Sequence, residues 1–279
     1  MSSFGVSLSE SREGAPTVGI IGGSGLESLP GLKEIRRLNL ITKYGYPSDE
    51  VTVGELEGVS VAFIPRHGRG HSLPPHKVPY RANIEALKMA GVKRIIGTCI
   101  VGSLQREIRP GALVIPDQFV DLTWGRDDTF AQDNSFVHLP MGEPYCMKTR
   151  QQILEVSLEA EIDLVKDGTV AVIQGPRFST AAESRWFSSQ GWSIINMTQY
   201  PECYFAKEAG LCYAAIAAVT DYAVGLQESL VYDPRNMADM LRMFKQGIEN
   251  TQRVIVAFLN AHADEACGCA DIVVRALYE

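Results

Sequence analysis

No run of apolar residues in this chain approaches the ~20 needed to cross a bilayer, so no membrane partner is expected. Positive charge is also in short supply. The 26 Lys and Arg stand against 33 Asp and Glu, a net charge of −7. A nucleic-acid or anionic-membrane binder carries a basic footprint, so no nucleic-acid partner is expected either; a local basic pocket for one small anion stays open. The six cysteines, at 99, 146, 203, 212, 267 and 269, form no disulfide framework, which suits a reduced, cytoplasmic setting. Cys267-Gly268-Cys269 is too short for a CxxC redox motif. It reads as two surface thiols near a frayed end, with a local disulfide or a metal contact as the other readings. No Ser-His-Asp order or close carboxylate pair points to acyl transfer or glycosidase-type chemistry. Internal repeats, low-complexity tracts and linkers are missing too.

What is present is an ordinary globular composition, 46% apolar and 21% charged over 279 residues, ample for one large core. The first sixteen residues are Ser-, Glu- and Gly-rich without an apolar h-region, so residues 1–16 are expected to be a disordered tail, not a signal peptide. Residues 17–279 are expected to form a single domain. Thr17–Ile21 is a short strand feeding Gly22-Gly23-Ser24-Gly25, a turn whose exposed N–H groups either cradle an anion or simply connect. Residues 51–56 and 59–64 read as a hairpin turning at Glu57-Gly58. The second strand runs into Pro65-Arg66-His67-Gly68-Arg69-Gly70-His71, with His76 beyond. Arg66 has the fork geometry to grip a tetrahedral oxyanion and His67 can add a donor. A zinc site on His67, His71 and His76 lacks an accompanying carboxylate or cysteine, and histidines that merely cap turns are the third reading.

Helix 80–90, strands 93–103 and 112–116, a long loop over 121–147 and helix 150–158 follow from apolar period and glycine or proline stops. Strand 169–173 leads to Phe178, which either stacks on a planar base or packs a helix onto the sheet. Thr180 with Glu183 is a capping box opening helix 181–190. Strand 193–198 ends in Asn196-Met197-Thr198, a helix runs from about Glu202 to Ala209, and a buried strand from Leu211 ends in Thr220-Asp221-Tyr222. Asp221 is either an N-cap or a ligand group. Met237 to Leu259 carries a long amphipathic helix. Alternating strands and helices predict an α/β fold with a central mixed sheet flanked by helices.

At the carboxyl edge of such a sheet, where ligands bind, Ser24, Arg66, His67 and Thr198 suit a phosphate or sulfate. Met197 offers apolar contact with a sugar, Phe178 a stacking face, and Asp221 an acceptor or an acid for a heterocycle. A bound phosphate attacking a glycosidic carbon needs no protein nucleophile, only positioning and a partner for the departing base.

Six ordered motifs, Gly22–Gly25, Arg66-His67-Gly68, Gly102-Ser103-Leu104, Gly175-Pro176-Arg177-Phe178-Ser179, Asn196-Met197-Thr198 and Thr220-Asp221-Tyr222, resemble the trimeric purine nucleoside phosphorylase family. They are most similar to its 5'-methylthioadenosine phosphorylase branch. The resemblance spans about Val18 to Gly225. It implies a nucleoside phosphorylase fold, a cytoplasmic homotrimer, no metal, and no cofactor beyond inorganic phosphate as co-substrate. The implied reaction is phosphorolysis of a purine nucleoside, chiefly 5'-methylthioadenosine, to free base and a ribose 1-phosphate. Carried over by motif, Ser24, Arg66, His67, Thr198 and the backbone around Cys99 and Ile100 hold phosphate. Met197 contacts the ribose, Phe178 the base, and Asp221 the purine N7 and exocyclic position as the catalytic group. Asn196 ties the strand end in place.

Three departures bear on function. Cys99 replaces a phosphate-binding threonine, Ile100 replaces a small alanine, and Ala223 replaces the second aspartate of the adenine-specific pattern. The last leaves a 6-oxopurine, methylthioinosine or broad purine nucleoside phosphorylase as the alternative. The first two make hydrolysis by water thinkable, and a non-catalytic nucleoside-binding protein is the remaining rival.

Overall fold

Unbroken Val, Ile and Ala sequences demand strands covered on both faces, and the sheet is built around them. The computed structural model describes residues 15–131, 136–226, 237–263, 265 and 267–278. Its first half contains β1 (Val18–Gly22), β2 (Lys33–Leu38), β3 (Val51–Leu56), β4 (Val59–Pro65), α1 (Tyr80–Met89), β5 (Arg94–Ser103), β6 (Leu113–Val114) and β7 (Gln118–Leu122). The second contains α2 (Met147–Glu159), β8 (Leu164–Val165), β9 (Thr169–Ile173), α3 (Ala181–Ser189), β10 (Ile194–Asn196), α4 (Gln199–Glu208), β11 (Cys212–Tyr222), α5 (Met237–His262) and α6 (Cys269–Tyr278).

The strand order is β2-β3-β4-β1-β5-β10-β9-β7, with β11, β6 and β8 branching from the other side of β5. The sheet is mixed: β1 and β11 run parallel to β5, whereas β10 runs antiparallel to it. On one edge, β5 pairs with β1 from Arg94 to Gly97 and with β10 at Gly102 and Ser103. Residues 98–101 therefore meet no strand on that edge.

Helices cover both faces. Ile153 and Val156 of α2 and Val254, Ile255 and Phe258 of α5 pack with Ile20, Ile96 and Ile216. Ile84 and Leu87 of α1 and Phe205 of α4 pack with Ile21, Ile95 and Tyr213 on the other side. The Thr180–Glu183 capping box is present in both directions, 3.2 and 2.7 Å.

Two kinds of element escape the apolar pattern. β2 (Lys-Glu-Ile-Arg-Arg-Leu) is almost wholly exposed and lies at the sheet edge, where charged side chains guard an open ladder. β7 and β8 are short and only half-buried. The expected tail lies outside the described residues up to residue 14, but Pro16 is buried against the domain. No described helix is long and apolar enough to cross a membrane.

Candidate active site

Where β5 loses its strand partner, a cavity of about 790 Å³ opens. Ser24, Arg66, His67, Cys99, Ile100, Phe178, Met197, Thr198, Asp221 and Ala223 all line it. Stretches up to two hundred residues apart thus meet in one place, because each follows or ends a strand at the same edge of the sheet.

Arg66 follows β4 and is 1% exposed. Its Nε and Nη2 donate to the two carboxylate oxygens of Glu202 on α4, both at 2.6 Å, and Nη1 donates to the Thr98 carbonyl at 2.7 Å. Burial alone would depress the guanidinium pKa, but the charge and hydrogen bonds of Glu202 more than offset it, so Arg66 stays cationic. Tyr213 also donates to Glu202, at 2.7 Å. Two glycines make room for this assembly. A Cβ at Gly23 would stand 2.4 Å from the Thr98 carbonyl oxygen and 2.8 Å from Arg66 Nη1, and one at Gly97 2.1 Å from the Tyr213 hydroxyl.

His67 differs from its sequence reading as a donor. Burial first, then repulsion from Arg66, push its pKa down to about 4, so it is neutral near pH 7. Its Nδ1 lies 2.8 Å from the Leu73 carbonyl, which can only accept, so Nδ1 carries the proton and Nε2 is left as an acceptor. Its ring stacks on His71, centroids 4.3 Å apart. Thr198 precedes α4, and its hydroxyl caps nothing on that helix. Burial pushes the Cys99 thiol up to about 11; its sulfur accepts from Gln199 at 3.5 Å.

Four residues along β5, the second end of the cavity is built. Asp221 is registered with Gly102, beyond a bulge between Val219 and Asp221 that re-aims the strand. The strand continues to Tyr222, so Asp221 is not an N-cap. Burial raises its pKa to about 6, against a 2.8 Å hydrogen bond from Thr220 that lowers it. Phe178 is 58% exposed, which removes the packing role offered as its alternative. Met197 lies over Gly175, and Ala223 is buried with Ile195.

Against known proteins, the model of the phosphorylase superfamily matches residues 17–260. The chain belongs to the phosphorylase superfamily. S-methyl-5'-thioadenosine phosphorylase of Mycobacterium tuberculosis is 45% identical over 248 residues, 89% of this chain and 90% of the relative. The protein of the same name from Pyrococcus abyssi is 44% identical over 259 residues, 92% of this chain and 98% of the relative. The solved structure of methylthioadenosine phosphorylase from Schistosoma mansoni with adenine superposes with a TM-score of 0.87 at 33% identity, covering 94% of this chain and 98% of that one.

Several lining residues of this phosphorylase-superfamily cavity had no signal in the sequence. Met240 and Phe244 of α5 reach it, although their spacing reads only as a core-facing helical stripe. Glu202 looked like a helix-start residue, and only the fold shows it buried under Arg66. Asn196 ties down the strand end as expected, its Oδ1 accepting weakly from the N–H groups of Thr198 and Gln199 at 3.4 and 3.5 Å. Its buried Nδ2, though, has no partner among the described residues. Glu27 lies 3.4 Å from His71 Nδ1, but among the described residues His67, His71 and His76 belong to no group of three ligand atoms close enough together for a metal ion. The group of metal-type ligands that does form lies elsewhere, on Cys146, Cys212, Cys267 and Cys269. Cys267 and Cys269 are thus not stray thiols at a frayed end but half-buried residues at the start of α6.

Proposed function

We propose that the chain catalyses phosphorolysis of 5'-methylthioadenosine to adenine and 5-methylthioribose 1-phosphate. The observation that carries the reading is the cavity along β5, with a buried cation at Thr98 and a protonatable carboxylate at Gly102. Four residues of strand separate them by roughly 13 Å, a span suited to phosphate, sugar and base in line. The names of the relatives, and the adenine in the Schistosoma mansoni structure, support the same chemistry.

Arg66 has five N–H donors, of which Glu202 and Thr98 take three, and the remaining two serve the phosphate together with Ser24 and Thr198. Neutral His67 accepts a hydrogen bond from a phosphate hydroxyl at Nε2, and the proton stays on the phosphate. Within residues 98–101, which pair with β11 on their other side, the N–H groups that face the open edge add backbone donors. As the C1'–N9 bond lengthens, positive charge develops on the ribose over Met197, and a phosphate oxygen forms the new C1'–O bond. The electron pair of the broken bond leaves with the adenine, stacked on Phe178, and Asp221 supplies its proton or hydrogen-bonds N7. Phosphate is co-substrate and no further cofactor takes part in these steps. The family resemblance supports a homotrimer of single domains, residues 17–279, working in the cytoplasm.

Purified protein incubated with methylthioadenosine, adenosine, methylthioinosine and inosine, each with and without phosphate, tests the proposal. Phosphate-dependent release of adenine from methylthioadenosine is expected. Turnover without phosphate would overturn phosphorolysis, and preference for the 6-oxo substrates would overturn the adenine assignment in favour of the reading that Ala223 leaves open.

A further inference from the structure

Four cysteines that lie far apart in the chain converge at the opposite end of β11 from the cavity. Cys146 immediately precedes α2, Cys212 opens β11, and Cys267 and Cys269 stand at the start of α6. Their sulfurs all lie within 4.8 Å of one another. Cys267 is 2.8 Å from Cys212, 3.1 Å from Cys269 and 3.6 Å from Cys146. We propose that these four sulfurs bind one thiophilic divalent metal ion, of the zinc class, in a tetrahedral tetrathiolate site.

A tetrahedron with metal–sulfur bonds of about 2.3 Å has edges of about 3.8 Å, inside the range these sulfurs span. None of the sulfur contacts involving Cys267 is near the ~2.05 Å of a disulfide. Cys267 sits within reach of three partners at once, at 2.8, 3.1 and 3.6 Å, so the geometry singles out no one disulfide partner for it. A metal ion satisfies all four together. Binding exchanges four S–H bonds for four metal–sulfur bonds and releases the protons to solvent.

The surroundings favour thiolates. The Thr149 N–H and hydroxyl donate to Cys146 Sγ at 3.5 and 3.2 Å, and the Cys269 N–H donates to Cys267 Sγ at 3.3 Å. Such donors orient and stabilise metal-bound sulfur. The N-termini of α2 and α6 both approach the cluster, adding positive partial charge. Lys207 interacts electrostatically with Cys146 and Cys269, which helps offset the net negative charge of four thiolates around a divalent ion. Thiolate sets of this kind select zinc or iron over hard cations. Cys212 lies nine residues from Asp221 on one strand, roughly 30 Å. The ion therefore clamps α2, α6 and β11 together and takes no part in the reaction.

Elemental analysis of the whole protein, purified with a non-chelating reductant and dialysed against metal-free buffer, tests the site. One zinc or iron per chain is expected. Exchange with Co²⁺ should produce thiolate-to-cobalt charge-transfer bands and the intense visible bands of a tetrahedral ion. Cys212→Ser and Cys269→Ser should lose both metal and bands, whereas Cys203→Ser, a buried cysteine outside the cluster, should keep them. Where a serine variant does not fold, native mass spectrometry of the unaltered chain with and without a chelator reads the bound ion directly. A metal-free chain with four titratable thiols that takes up no cobalt would overturn the proposal. So would an intact mass short by two hydrogens for each disulfide formed among the four.

Discussion

Glu202 grips Arg66 through both carboxylate oxygens, 2.6 Å each, with both side chains 1% exposed. The guanidinium is thereby fixed before any anion arrives, at the cost of desolvating two charges. Removing Glu202 leaves the arginine charge buried and uncompensated. Glu202→Ala is expected to lose about 3–5 kcal/mol of stability, measured by denaturant unfolding. Arg66→Ala should raise the KM for phosphate well above its effect on the KM for nucleoside, and equal effects on both would remove Arg66 from phosphate binding.

Gly23→Ala tests how tightly the turn is held. The added methyl would collide with the Thr98 carbonyl at 2.4 Å and crowd Arg66 Nη1 at 2.8 Å. A displacement of about 1 Å in a positioning group lowers turnover on the order of 10²-fold, so kcat/KM for phosphate should fall by that order, and because the clash is with backbone the melting temperature should fall as well. A fully active variant would show that Arg66 does not depend on the turn.

Asp221 gives a pH-dependent stability. Its pKa rises on folding from the ordinary 3.8 to about 6. The fold therefore holds a proton that the unfolded chain releases. Its favourable contribution is complete below pH 3.8 and is lost as pH rises through 6. Asp221→Asn removes the titration, so the variant should gain about 1–2 kcal/mol over the wild type above pH 6, after discounting for partial solvent access, and nothing below pH 4. Urea unfolding at both pH values reads the difference, and a pH-independent gap would dissociate Asp221 from it.

Selectivity should follow the carboxylates. Asp221→Asn is expected to move preference from 6-amino toward 6-oxo purines, since an amide pairs with a carbonyl where a protonated carboxyl serves an amino group and N7. Ala223→Asp should raise the ratio of kcat/KM for methylthioadenosine over methylthioinosine by roughly tenfold, the value of one well-made hydrogen bond, while lowering stability because Ala223 is buried. An unchanged ratio in both variants would place base recognition elsewhere.

Much of this was legible in order along the chain. The hairpin at 51–64, the Thr180 cap and the buried strand ending at Asp221 announce themselves through alternation, a capping signature and an unbroken apolar run. Strand ends carrying Arg66, Thr198 and Asp221 were readable as candidates because polar side chains closing apolar runs are costly without a purpose. What stayed hidden depends on distant neighbours. Glu202 has no local feature that marks it as the partner of Arg66, 136 residues away. β2 hides behind the charges that protect an edge. The His67 proton position depends on the Leu73 carbonyl, and the cysteines at 146, 212, 267 and 269 look scattered until α2, α6 and β11 bring their sulfurs together.

β5 carries one more consequence. Because the pairing of β5 with β1 ends at Gly97 and its pairing with β10 starts at Gly102, the interval between them is a short missing length of strand on that edge. A phosphate and nucleoside lying there would take the place of that strand and join the β1 side of the sheet to the β10 side. The reactants would then complete the architecture of the protein that transforms them, and each release of product would leave the sheet briefly unfinished.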